Sequence, residues 1–214
     1  MRTALRRLAK LLPHPKPLPD FVGYEVLIDF LRTRHIYRLP GDLLEVGAFM
    51  GGGTAKLARF ARKHGKRVFA IDIFEPAADT TPMPDGTTMA SIYLAFLEGR
   101  PQRDVYRETT RRCNNIVTIC QDSMKVTFPP EQRFCFAFID GNHDLDHIRS
   151  DFRLAWTHLV SGGVLGLHDY GTELPGVTDC IDSLVEAHRH EIAGRHEIPD
   201  RHILLLVKRP RPDD

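Results

Sequence analysis

Two stretches of this chain carry chemistry-bearing residues at the ends of apolar runs. Phe138-Ile139-Asp140-Gly141-Asn142-His143-Asp144 sets a carboxylate and an imidazole just past the apolar run 134–139. His168-Asp169 follows a second run, 164–167. An unbroken apolar run reads as a strand buried on both faces. Open α/β sheets keep their chemistry outside the carboxyl ends of such strands. The two ends therefore offer a shared site of carboxylate and imidazole ligands.

A third stretch suggests what else binds there. Glu45-Val46-Gly47-Ala48-Phe49-Met50-Gly51-Gly52-Gly53-Thr54 follows a strand pattern and opens a helix pattern. Glycines let backbone amides approach a ligand, and a helix start presents free N–H groups. The spacing is not G-x-G-x-x-G, so the dinucleotide fingerprint fails. Glu45 would repel a pyrophosphate but suits a cationic ligand. Asp72, at the next strand end, is placed for ribose hydroxyls, and Asp122, past the third strand, for the amino group of a base. Each feature also has a plain structural reading, as a turn or a helix cap. Together they point to a positively charged nucleoside ligand.

The elements that must hold these residues read as follows. Residues 20–38 have helical periodicity, and 43–46 form a strand. Helix 54–64 is closed by Gly65, a C-cap residue. Strand 68–71 ends at Asp72, which completes a parallel strand-turn-helix-strand unit. Residues 76–86, with three prolines, read as an irregular loop over the site. Helices are expected over 87–98 and 103–113, and strands over 115–120 and 134–139. Helix 145–160, with Asp144 as its cap, then leads through the turn Ser161-Gly162-Gly163 to strand 164–167. Helix 177–190 precedes a closing antiparallel hairpin, 192–198 and 203–207, turned at Pro199-Asp200.

The 214 residues suit one α/β domain. A formal charge of +1 gives no case for a nucleic-acid partner. The four cysteines form no C-x-x-C pair, which favours a reducing, cytoplasmic setting over a disulfide framework. Cys120 and Cys135 sit in apolar runs and read as core residues. No run approaches the ~20 apolar residues of a membrane span. Residues 1–19 differ from the rest. Arg2, Arg6, Arg7 and Lys10 alternate with leucines, and Pro13, Pro15, Pro17 and Pro19 follow. They read as a basic arm, flexible or contacting an oligomer partner, ahead of a single domain over 20–214.

The motifs now combine. Glu45-x-Gly47 with Gly51 to Thr54, Ile71-Asp72-Ile73-Phe74, Gln121-Asp122-Ser123, Phe138 to His143, Ser161-Gly162-Gly163-Val164 and Leu167-His168-Asp169-Tyr170 resemble the class I S-adenosylmethionine-dependent methyltransferases. The resemblance runs in order over roughly residues 40–208. The second half is similar to small families related to metal-dependent sugar and catechol O-methyltransferases. It implies a doubly wound, Rossmann-like sheet of seven strands, mostly parallel with the last antiparallel. It also implies S-adenosylmethionine contacts at Glu45, Gly47, Asp72 and Asp122, and along the same turns at Ala48, Gly51, Thr54, Ser123 and Asp140. Asn142 departs from the pattern where a second Asp is usual, and Gly53 where a Ser is.

An alcohol must lose its proton to accept a methyl group, and a divalent cation helps by lowering the pKa of a bound hydroxyl. By resemblance, Asp140, His168 and Asp169 match the metal ligands of the metal-dependent relatives. Magnesium is the expected ion, with manganese more tolerant of the imidazole. His143 is the expected base, since an imidazole with pKa about 6.5 suits proton transfer at neutral pH; Asp140 shares the catalytic role. His147 is expected on a solvated helix turn, and Tyr170 and Glu173 along the acceptor pocket. A saccharide acceptor is expected, for example an oligosaccharide such as a mannoside, with a phenolic or natural-product hydroxyl as the alternative. Two rivals remain: a non-catalytic nucleoside binder, and a metallophosphoesterase suggested by Gly141-Asn142-His143-Asp144. The second lacks the companion motifs such enzymes need.

Overall fold

In the computed structural model, which describes residues 20–83 and 85–210, strands and helices alternate along the chain. The order is α1 (Tyr24–Thr33), β1 (Asp42–Val46), α2 (Gly52–Arg62), β2 (Val68–Asp72), α3 (Met89–Leu97), α4 (Gln102–Thr110) and β3 (Ile116–Cys120). It continues with β4 (Phe134–Ile139), α5 (Leu145–His158), β5 (Leu159–Leu167), α6 (Val177–Ala187), β6 (Ile192–Ile198) and β7 (Ile203–Lys208). The expected basic arm lies outside the described residues.

The strands form one seven-stranded sheet in the order β3-β2-β1-β4-β5-β7-β6. β1, β2, β3, β4 and β5 pair in parallel, while β7 runs antiparallel to both β5 and β6. This is the doubly wound sheet expected. Its order reverses between β1 and β4, and such a switch point opens a crevice at the carboxyl ends of the strands. Gly47 and Asp140 stand on its two lips: Gly47 N–H bonds to Ile71 O at 2.9 Å, and Asp140 N–H to Val46 O at 2.8 Å.

Alternation along the strands divides the core in two. Leu44, Val46, Ala137, Ile139 and Leu167 pack with Phe152 and Trp156 of α5. Leu43, Phe136, Phe138 and Val164 pack on the other face with Leu27 and Leu31 of α1 and Leu57 of α2. Glu45 belongs by the same alternation to the second face, under the helices. α2 lies close because Gly53 has no side chain. A Cβ there would stand 2.2 Å from the Tyr24 ring, so this departure from the family pattern admits Tyr24.

The structure departs from the sequence reading at several points. α1 is shorter than 20–38, because Gly23 (φ 85°) delays its start and His35 (φ 56°) ends it. Asp20 accepts from the N–H groups of Gly23 and Tyr24 instead of entering the helix. The expected turn Ser161-Gly162-Gly163 is a bulge inside β5, since Phe134 pairs with Leu159 and Phe136 with Val164. Cys120 is exposed on the edge strand β3, whereas Cys135 is buried in the sheet centre. An apolar neighbourhood in sequence does not protect an edge position.

Candidate active site

At the tip of β1 the chain turns through Gly47 at φ 89° and Gly51 at φ 79°, backbone regions where a side chain is costly. The turn brings Phe49 N–H to Asp72 Oδ2 at 2.8 Å. Asp72 Oδ1 accepts from Phe74 N–H at 2.6 Å and from the Gln102 amide at 3.1 Å. Burial pushes the Asp72 carboxyl above its ordinary value despite these bonds. A cavity of about 490 Å³ begins at this turn.

Gly47, Ala48, Asp72, Asp122 and Ser123 line that cavity, as expected of a donor site. Asp140, His143, His168 and Asp169 line its other end. Residues from five strand ends thus share one hollow. Three expected donor contacts are not on its wall. Gly51 is the turn before α2, beneath Tyr106 and Thr110. Thr54 is fully buried and donates its hydroxyl to Glu45 Oε2. Glu45 is also fully buried, beside Thr54 and Tyr24 and behind the cavity wall. The reason is the two-residue period of β1, which points Glu45 under the helices.

Burial raises the Glu45 carboxyl from 4.5 to about 8, against the lowering effect of the Thr54 and Tyr24 hydroxyls. Its Oε1 has no hydrogen-bond partner. Between those values the folded protein keeps a proton that the unfolded chain releases, so stability falls as pH rises through the window. A shift of this size corresponds to a loss on the order of 5 kcal/mol. Glu45→Gln should remove that slope. Chemical denaturation of both proteins at pH 5 and pH 8.5 checks it, and parallel pH profiles would remove Glu45 as the cause.

The far end of the cavity holds a chain of alternating acids and imidazoles. His143 Nδ1 is 2.8 Å from Asp79 Oδ2, and His143 Nε2 is 2.8 Å from Asp169 Oδ2. His168 Nδ1 lies 2.9 Å from Asp140 Oδ1 and 3.1 Å from Asp169 Oδ2. It is aligned with neither as a hydrogen bond. Burial works to lower the His143 pKa, but the bonds and charges of Asp169 and Asp79 outweigh it and push it up to about 10. The His168 pKa rises to about 11, where the Asp140 and Asp169 carboxylates outweigh burial. Burial would raise the Asp169 pKa, but the two imidazoles hold it well below the usual carboxylate range. Between two carboxylates the His143 imidazole is held toward its protonated form, whereas a neutral ring was expected of a base.

Several site residues escaped the sequence reading. Asp79 comes from the segment read as an irregular loop, where it also accepts from Thr81 N–H at 3.0 Å. Its only sequence signal is an acid in a polar stretch. His147, expected in solvent, lines the cavity 3.6 Å from Asp122. Phe21, Phe49, Tyr93 and Phe96 form an aromatic rim, with Phe21 and Phe96 centroids 4.3 Å apart. Tyr170 points elsewhere: its hydroxyl donates to Asp182 at 2.9 Å and meets Arg195. Asp144 caps α5 as expected, accepting from Asp146 N–H at 2.9 Å.

Residues 44–170 match the family described as a methyltransferase domain. Among solved structures, the O-methyltransferase NovP is similar with a TM-score of 0.65 and 17% identity, over 88% of this chain and 79% of that one. CalS11, described as a TDP-rhamnose 3'-O-methyltransferase of calicheamicin biosynthesis, gives 0.60 and 17%, over 96% and 93%. MycE, a methyltransferase of the mycinamycin pathway solved with Mg and SAH, gives 0.53 and 16%, over 92% and 56%. At these identities the likeness is one of fold. No curated protein matches the chain at a significant level.

Proposed function

The chain belongs to the methyltransferase-domain family, and from that premise we propose that it moves a methyl group from S-adenosylmethionine to a hydroxyl oxygen of a saccharide. The carrying observation is the single cavity that joins the glycine turn, Asp72 and Asp122 to the cluster of Asp140, His143, His168 and Asp169. A sulfonium nucleoside suits the first half, which is acidic and free of Lys and Arg among its described lining residues. An alcohol to be deprotonated suits the second. The saccharide is favoured by the polar cluster and by the likeness to CalS11, a TDP-rhamnose 3'-O-methyltransferase. A phenolic hydroxyl is the alternative, favoured by the aromatic rim.

A divalent cation fits the cluster. The ligand atoms of Asp140, His168 and Asp169 lie within 4.8 Å of one another. Neighbouring ligands of an octahedral ion at ~2.1 Å stand about 3 Å apart, close to the 2.9 and 3.1 Å found here. His168 Nδ1, close to both carboxylates but aligned with neither as a hydrogen bond, is the third ligand atom. These three residues would hold the ion, which when bound orients the acceptor hydroxyl and lowers its pKa.

The chain's own residues do the remainder. Gly47 and Ala48 present backbone to the donor, and Asp72 and Asp122 receive its polar groups. Asp79 fixes the His143 ring through Nδ1, which leaves Nε2 toward Asp169 and the cavity. With a cation held by Asp169, His143 would hold its Nε2 proton less tightly and release it to solvent. Nε2 is then free to take the hydroxyl proton, with the Asp140 carboxylate as the second acceptor. The C–O bond forms as the S–CH₃ bond breaks, leaving the methyl ether, S-adenosylhomocysteine and one proton. In-line placement supplies much of the rate. Four free thiols favour a reducing, cytoplasmic setting for this chemistry.

Labelled S-adenosylmethionine, offered with sugars and phenols with and without chelator, tests the proposal. Transfer to a sugar hydroxyl, lost on chelation and restored by magnesium or manganese, is expected. Transfer that survives chelation would remove the metal. Absence of donor binding by calorimetry would end the proposal.

A further inference from the structure

A second, more open hollow of about 700 Å³ adjoins the first, between the segment leading into α3 and the turn after β5. Met89, Ile92 and Asp169 line both, so the two meet at the acid–imidazole cluster. The first cavity, at 490 Å³, is in the size range of one nucleoside-sized ligand. Once the donor fills it, the acceptor oxygen can reach the cluster from the second. We propose that the acceptor of the methyl transfer, a reading on which this inference rests, lies in that groove and is an uncharged glycoside, without phosphate or carboxylate.

The groove wall argues for this composition. Met83, Met89, Ile92 and Leu174 give it an apolar side, which suits a sugar's C–H face or an apolar aglycone. Its ionisable groups are the carboxylates of Asp85, Asp169 and Glu173 and the imidazole of His202. No Lys or Arg is among its described lining residues. Phosphate and carboxylate recognition relies on guanidinium or ammonium groups, or on free N–H groups at a helix start. The helix start on this groove has none to offer. Thr88 and Ser91 cap each other reciprocally, Met89 N–H bonds to Thr81 O, and Ala90 N–H bonds to Asp79 O. Arg195, which reaches Tyr170 beside the groove, is held by Asp182 at 3.6 Å and Glu197 at 3.0 Å. An anionic acceptor would face three carboxylates with one imidazole to answer them. A neutral sugar instead finds Thr172, His202 and the carboxylates as hydroxyl partners. The groove thus selects against nucleotide-linked sugars, although CalS11, a TDP-rhamnose 3'-O-methyltransferase, shares the fold.

The test uses the full chain, labelled S-adenosylmethionine, and matched acceptors: nitrophenyl glycosides and the nucleoside-diphosphate forms of the same sugars. We expect kcat/KM to favour the uncharged glycosides by at least about tenfold, or about 1.4 kcal/mol. Glu173→Lys, at an exposed position, should narrow the gap several-fold with donor affinity unchanged. Equal or better use of the nucleotide sugars, or a gap untouched by Glu173→Lys, overturns the inference and leaves methyl transfer standing. Transfer to neither class, with the donor bound, overturns the saccharide reading on which the inference rests.

Discussion

Asp169→Asn should lower kcat by about 10²- to 10⁴-fold, the range for losing a catalytic or charge-stabilising group, while donor affinity changes only a few-fold. Asp169 sits between His143 and His168, 2.8 and 3.1 Å from their nitrogens. It is the carboxylate common to both imidazoles, and it lies where the two hollows meet. Asparagine keeps its size and tolerates the left-handed backbone that Asp169 adopts at φ 60°. The substitution therefore removes charge with little change in shape. Two effects follow. On the proposed reading a metal ligand becomes a weak one, and His143 loses one of the two carboxylates that orient it. Steady-state kinetics with calorimetry of donor binding separates these from misfolding. Turnover within threefold of the wild type would falsify the placement of the chemistry at this cluster.

Gly47→Ala should cost on the order of 3–5 kcal/mol of stability, the upper end for a single change, and abolish donor binding. An added Cβ at Gly47 would lie 1.8 Å from the carbonyl oxygen of Asp140 and 2.4 Å from its carbonyl carbon. Both are backbone atoms, so no rotamer relieves the overlap. The backbone at φ 89° resists a side chain as well. Either the tips of β1 and β4 part, which separates the donor turn from Asp140, or the sheet loses its central pairing. Gly65 shows the contrast: its φ is also positive, at 67°, but nothing lies within 4 Å of an added Cβ. Gly65→Ala should cost roughly 1–2 kcal/mol, the backbone penalty alone, and spare donor binding. Denaturation midpoints for the pair decide the matter, and equal midpoints would refute the steric account.

Much of the architecture was legible because it is written locally. The apolar run 134–139 became the fully buried β4, and the glycine turn after β1 became the start of α2. Asp72, Asp140, His168 and Asp169 stand at strand ends because the apolar runs stop there. The resemblance added what local signals lack, the number of strands and the single reversed one. Boundaries failed where one backbone angle decides them, as at Gly23 and His35.

What the chain determined alone is therefore the succession of elements and the set of polar residues delivered to one edge of the sheet, since both follow from short-range periodicity and turn chemistry. What only the tertiary structure decided is which neighbours those residues meet. Glu45 and Asp72 look alike in sequence, yet the pleat buries one beneath α1 and α2 and leaves the other on the cavity wall. Asp79 reaches His143 across 64 positions, a pairing that no local pattern records. The raised pKa of His143 follows from that meeting, because a pKa is set by the burial and the carboxylates around a group, and these exist only once the chain has folded.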